Sequence, residues 1–158
     1  QYSAPVTLTQ TTTIRLMAVD RAGNASAVTS ETYTLAAATQ YWLFGYGQVS
    51  PPTGYRGDFA FLATGPGSPQ GWLTYVCPKR WLAFVSTGVT AVTIGGRTAT
   101  LSGEGQLNGT PGYTFTATTS DASPDRFGIA IYRPDGSLYH QAATSPLAIG
   151  EVMIAPLE

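Results

Sequence analysis

The chain has 158 residues, of which 43% are hydrophobic and only 11% are charged, and its formal net charge is −1. This balance gives no electrostatic reason to expect a nucleic-acid partner, and no apolar run approaches the roughly 20 residues that span a bilayer. The 18 glycines and 11 prolines, together with abundant threonine, favour short strands joined by tight turns. We therefore predict an all-β protein with no nucleic-acid partner, no membrane insertion and no cofactor.

The first 35 residues contain two strong strand signals, at residues 11–19 and 31–35, where apolar and polar side chains alternate. The segment from Asp20 to Asn24 is typical of a turn, because Asp and Asn cap their own backbone and glycine accepts a positive φ. A shorter strand is predicted at residues 5–8.

The order of these segments resembles a known family. The carrying residues are Val6-Thr7-Leu8, Thr12-Thr13-Ile14, Ala18-Val19-Asp20, Ala22-Gly23-Asn24, Ser26 and residues 31–35. They resemble the second half of the immunoglobulin-like module at the C-terminus of chitobiase-type glycosidases. The resemblance implies that residues 1–35 are a partial immunoglobulin-like unit.

The missing first half of that unit has two explanations. The chain begins with Gln1 rather than Met and has no apolar leader, which predicts a mature or excised fragment. Alternatively, a strand from another chain completes residues 1–35, because a sandwich without its early strands exposes sheet edges. The second explanation predicts a filament subunit built by strand addition.

After a linker at residues 36–40, strand signals recur at regular intervals through a second domain, residues 41–158. They lie at 41–47, 57–63, 71–76, 81–86, 89–94, 97–104, 112–119, 126–132, 137–142 and 150–155. Short strands with a turn every 8–12 residues or so predict an antiparallel immunoglobulin-like β-sandwich. No segment keeps a helical period, so we predict no helix longer than a turn or two.

The second domain also resembles a family. The matching segments are residues 45–47, 57–61, 71–75, 84–87, 103–105, 108–109, 112–115, 125–127 and 150–154. Their order and spacing resemble the post-COAP-type β-sandwich module at the C-termini of large secreted bacterial proteins. The resemblance implies an accessory module that is secreted or displayed on the cell surface, with no established general activity.

Catalytic and metal-binding residues are not evident. His140 is the single histidine, and no Gly-x-Ser-x-Gly motif occurs, so we predict no enzyme and expect His140 to be half-exposed at a strand end. The single cysteine, Cys77, is predicted to be a buried thiol rather than a reactive one. Asp121 and Asp125 are weak calcium candidates; the favoured interpretation is that they close turns through their own backbones.

The acidic side chains predicted to lie in strands are interpreted as structural rather than catalytic residues. Glu104 and Glu151 are expected at the surface or in ion pairs with Arg97 or Arg126. Paired carboxylates of the kind that cleave glycosidic bonds are not predicted.

Aromatic side chains crowd into residues 41–81 and supply the ligand-binding candidates, Trp42, Tyr55, Trp72 and Trp81. Exposed aromatic rings on a sheet stack on the apolar faces of sugars, whereas buried ones fill a core. Three functions stay open: a structural or interaction module (stalk, spacer or assembly unit), which is favoured; a carbohydrate-binding module; and a filament subunit. The expected partner is a polysaccharide or another protein chain.

Overall fold

The computed structural model describes residues 5–8, 10–34, 39–52 and 54–157. The chain divides into two compact units, Gln1–Ala37 and Ala38–Glu158. The described residues contain no helix long and apolar enough to cross a membrane.

The first unit is a two-stranded antiparallel sheet of β1 (Thr12–Leu16) and β2 (Thr29–Tyr33). The predicted strand at 5–8 is wrong, because those residues are irregular. The predicted turn is confirmed: the Asp20 carboxylate accepts hydrogen bonds from the backbone N–H groups of Ala22 and Asn24, both at 2.9 Å. Among the described residues of this unit none is buried, so the hairpin has no core of its own. The immunoglobulin-like assignment of residues 1–35 stays a prediction.

The second unit contains eight further strands and one short 3₁₀ helix, Pro78–Arg80. The strands are β3 (Tyr41–Val49), β4 (Gly57–Gly65), β5 (Gln70–Cys77), β6 (Leu82–Gly95), β7 (Thr98–Leu107), β8 (Thr110–Ser120), β9 (Arg126–Tyr132) and β10 (Leu138–Pro156). Each strand pairs antiparallel with the next along the chain, and β10 pairs with both β9 and β3. The sheet therefore closes into an eight-stranded barrel.

The all-β antiparallel prediction is confirmed, but the strand order is not that of an immunoglobulin-like sandwich, whose two sheets are joined by Greek-key connections. Two long strands make the difference. β6 has 14 residues and β10 has 19, and the sequence pattern splits each of them into two. Register shifts, at Ser86/Gly88 in β6 and at Leu147/Ile149 in β10, bend each strand from one neighbour to the next.

The barrel core is formed by the inward-facing half of each strand and is centred on aromatic rings. Phe127 stacks on Phe59 with ring centroids 3.8 Å apart and planes within 2°. Phe61 and Tyr75 lie around this pair, at 6.2 and 6.5 Å from the Phe127 ring. The prediction that Cys77 is buried is confirmed.

Candidate functional site

The outer side of the sheet formed by β10, β3, β4 and β5 carries a group of exposed or half-buried apolar side chains, here called the aromatic face. Its members are Trp42, Phe44, Tyr46, Leu62, Trp72 and Met153. On β3, Leu43 and Gly45 point into the core while the three aromatic residues point outward, as the alternation predicts. Trp42, Tyr46 and Trp72 are 44%, 48% and 45% exposed.

Strand register aligns these side chains into a row. Met153 is the partner of Phe44, Phe44 of Leu62, and Leu62 of Trp72. Neighbouring strands are about 4.8 Å apart, so the row spans roughly 14 Å. Phe44 also contacts the ring of Tyr46, with centroids 5.6 Å apart. The result is a continuous apolar surface across four strands.

A shallow depression of about 210 Å³ lies beside this row. It is lined by Trp42, Leu62, Ala63, Thr64, Gln70 and Gly71. Trp42 supplies an exposed aromatic wall, and Thr64 and Gln70 supply hydroxyl and amide groups. An apolar ring next to hydrogen-bonding side chains is the combination that holds a sugar, which has both an apolar face and hydroxyl edges.

The other two predicted candidates, Tyr55 and Trp81, belong to the loops that join β3 to β4 and β5 to β6. With Arg56, Lys79 and Arg80 they form what we call the basic tip. The Lys79 Nζ atom lies 5.8 Å from the centroid of the Tyr55 ring, within cation–π range. All five residues are exposed, and Trp81 is 89% exposed.

The backbone of Trp81 is fixed although its side chain is free. Trp81 adopts a left-handed conformation, φ 51° and ψ 40°, and its N–H donates to the Pro78 carbonyl at 3.0 Å. Its carbonyl accepts from the Asn108 side chain at 2.9 Å, and that same amide accepts from the Ala83 N–H at 2.8 Å. Asn108 belongs to the two-residue Asn108-Gly109 turn, in which both residues have positive φ, as a type I′ hairpin requires.

The two calcium candidates, Asp121 and Asp125, accept hydrogen bonds from other parts of the barrel. The Asp121 carboxylate bonds the Arg97 side chain and accepts from the Ile154 N–H at 3.1 Å; the hydrogen bond from Arg97 lowers the pKa of Asp121. Asp125 accepts from the Val152 N–H at 2.8 Å. They tie the β8–β9 loop to β10, so the expectation that they close their own turns is wrong. No cluster of three or more metal-ligating side chains occurs in the described residues.

Arg97, one of the two partners expected for Glu104 and Glu151, forms its ion pair with a different acid. Arg97 pairs with Asp121, and both glutamates are exposed. Their predicted surface position is confirmed.

His140 corrects another expectation, because it is buried, at 5% exposure. Its Nε2 atom lies 3.2 Å from the Tyr75 hydroxyl, and its Nδ1 atom has no hydrogen-bond partner among the described residues. Burial lowers the pKa of His140 below its usual 6.5, and the positive charge of Arg80 lowers it further. The expectation came from its place near a predicted strand end; in the structure β10 continues past it, and the alternation from Tyr139 to Ala142 places His140 on the inner side with Ala142.

We expect acid to destabilise the fold through His140. Since its folded-state pKa lies below the unfolded-state value of 6.5, the unfolded chain takes up the proton first. Stability is therefore complete above that value and falls as the pH drops below it, by up to about 1.4 kcal/mol between about pH 7.5 and pH 5.5. Urea unfolding at both pH values measures the change. His140→Gln, which does not titrate, should show a smaller change; an equal change in both proteins would contradict the assignment.

Comparison with known proteins gives one match. A family model described as Fn3 associated matches residues 1–33, the segment that contains the β1–β2 hairpin. The match fits an immunoglobulin-like module in general and does not identify the chitobiase-type or post-COAP-type families, which stay predictions. Comparisons with curated proteins and with solved structures gave no match.

Proposed function

We propose that residues 38–158 form a non-catalytic carbohydrate-binding module of a secreted or cell-surface bacterial protein. The observation that carries this proposal is that all three tryptophans, Trp42, Trp72 and Trp81, are exposed. Tryptophan is highly buried on average in folded proteins. Here the core is built from phenylalanine, tyrosine and aliphatic residues, and the tryptophans are held outside it.

The geometry of the aromatic face suits an extended glycan. Trp42 and Trp72 lie on the same side of the sheet, separated by β4 and by two residues along the strands, which places them roughly 12 Å apart. That separation is comparable with the length of a disaccharide, so two rings of one chain can stack on the two indoles. Thr64 and Gln70, which are register partners, lie beside Trp42 and offer hydrogen bonds to sugar hydroxyls.

The absence of catalysis is part of the proposal. His140 is buried against Tyr75, so it is not placed to exchange a proton with an external substrate. On this side of the sheet the described strands carry two acids, Glu151 in register with Tyr46 and Asp58 in register with Gln48. They are two strands and two residues apart, roughly 12 Å, which is wider than the carboxylate pairs of glycosidases.

A structural or interaction module is the second candidate. The row from Met153 through Phe44 to Leu62 resembles the centre of a protein interface, which is enriched in aromatic residues and methionine and depleted in charge. Completion of residues 1–35 by another chain likewise stays a prediction; the exposure of Leu16, at 65%, and of Tyr33, at 50%, favours it.

We expect Trp42→Ala and Trp72→Ala each to weaken polysaccharide binding roughly tenfold, because each removes one stacking contact worth about 1.4 kcal/mol. The test is a titration of the whole chain with soluble xylan, cellulose and chitin oligosaccharides and polygalacturonate, followed by tryptophan fluorescence and calorimetry. Insoluble cellulose and chitin are tested by pull-down.

Tyr139→Ala is the matched control. Tyr139 is 38% exposed but lies on the part of β10 that pairs with β9, away from the aromatic face, so its loss should leave binding unchanged. All three variants should unfold within about 1.5 kcal/mol of the parent, because each side chain is partly exposed and the contacts of Tyr139 with the Tyr113 ring and the Arg133 guanidinium are each of that order or less. No binding to any glycan of the panel would overturn the carbohydrate proposal and favour the interaction module.

A further inference from the structure

The basic tip combines features that the aromatic face lacks. Two depressions meet there at Pro78. One, of about 310 Å³, is lined by Tyr55, Arg56 and Lys79 together with Gly54 and Pro78. The other, of about 420 Å³, is lined by Trp81, Val76 and Asn108 together with Pro78, Leu82 and Ala83. Pro78 therefore forms a wall shared by two depressions, one lined by cationic side chains and the other apolar and lined by Trp81.

From this arrangement we infer that the basic tip is a second sugar-binding site, and that it selects an acidic sugar, one that carries a carboxylate on its ring. The inference rests on the proposed carbohydrate-binding function and adds its ligand class. In this site the Trp81 indole stacks on the sugar ring, while Lys79 and Arg56 bind the carboxylate.

The conformation of Trp81 supports a role in binding. The left-handed region is unfavourable for a bulky residue, and an indole left 89% exposed forgoes most of the stabilisation that burial would give. Neither cost is offset by contacts of the side chain within the barrel. The hydrogen bonds from Asn108 and to Pro78 fix the backbone of Trp81, so the point from which the indole extends into solvent is set before a ligand binds.

The charge of the tip specifies the ligand. Three of the chain's eight basic residues are gathered here, in a protein whose overall charge is close to neutral. Arg56 lies 3.8 Å from Asp58, and among the described residues Lys79 and Arg80 form no ion pair. An anionic group on the ligand supplies the missing partner.

Continuity with the aromatic face favours a polysaccharide over a lipid surface. Val76, which lines the Trp81 depression, points to the same side of β5 as Trp72. Val76 lies four positions after Trp72 along the strand, which places the two residues roughly 13 Å apart. One extended chain can therefore lie along β5 from Trp72 to Trp81, whereas a membrane would need a convex apolar surface rather than two depressions.

The test compares polygalacturonate with its methyl ester, because esterification removes the carboxylate charge and leaves the sugar chain unchanged. We expect the whole chain to bind polygalacturonate roughly tenfold more tightly at low salt, and this preference to shrink as salt rises. The double variant Arg56→Gln/Lys79→Gln should lose the preference and keep its affinity for the ester. Arg126→Gln, which removes an exposed charge on β9, is the matched control and should keep the preference.

Trp81→Gly separates binding from folding. It removes the indole and relieves the left-handed strain, so it should unfold at a higher urea concentration than the parent while binding polygalacturonate roughly tenfold more weakly. Equal affinity for polygalacturonate and its ester would overturn the inference while leaving glycan binding at the aromatic face intact. Binding lost in Trp42→Ala but kept in Trp81→Gly would also overturn it. Binding of the tip to phosphatidylglycerol vesicles instead would assign it to a membrane.

Discussion

Replacing Phe127 with alanine is expected to lower the free energy of unfolding by about 3–5 kcal/mol, a large part of the roughly 5–15 kcal/mol that stabilises an ordinary domain. The Phe127 ring is fully buried and stacks on Phe59 at 3.8 Å. It also lies next to Phe61 and Tyr75, so its removal leaves a cavity where three other rings meet. Urea unfolding followed by circular dichroism measures the loss.

Phe44→Ala is the matched control, because it makes the same chemical change on the outer side of the barrel. Phe44 is 37% exposed, and its truncation should cost less than about 1 kcal/mol. Equal losses at the two positions would mean that the barrel core is not centred on the Phe127 ring.

The alternation of side chains predicted much of the aromatic face. Along β3 the pattern places Trp42 and Phe44 opposite Leu43, and the structure confirms it, because a strand has a period of two whatever it pairs with. The same reasoning leaves open whether the aromatic or the aliphatic side is buried. In the structure the buried side of β3 is the one that carries the glycines. Core rings pack against this side, as the Phe61 ring does against Gly45.

Closure of the barrel was not predictable in this way. It depends on register shifts in β6 and β10, and a bulge changes the direction of a side chain without leaving a mark in the hydrophobic pattern. The burial of His140 was hidden for a related reason: β10 continues to Pro156 instead of ending near His140, so this side chain lies on the inner side of a long strand. The left-handed backbone of Trp81 is equally hidden, because the Asn108 side chain that donates to its carbonyl lies 27 residues further along the chain.

Replacing Gly150 with valine is expected to lower the free energy of unfolding by about 3 kcal/mol or more and to abolish glycan binding. Gly150 pairs with Gly47 where β10 meets β3, and its φ is +116°. A Cβ atom there would lie 2.1 Å from the Tyr46 carbonyl oxygen and 2.5 Å from the Gly47 Cα atom. Neither backbone can move without separating the two strands. Thermal unfolding and the polysaccharide titration measure the two effects.

Gly88→Ala is the control for this change. Gly88 also lies at a register shift, in β6, but a Cβ atom there meets nothing within 4 Å, so alanine should change stability by no more than about 0.5 kcal/mol. Because Trp42, Phe44 and Tyr46 all lie on β3, separation of β3 from β10 would remove Met153 from the row and leave the strand without its fixed neighbour. A Gly150→Val protein that kept both its stability and its glycan affinity would show that the aromatic face does not depend on closure of the barrel.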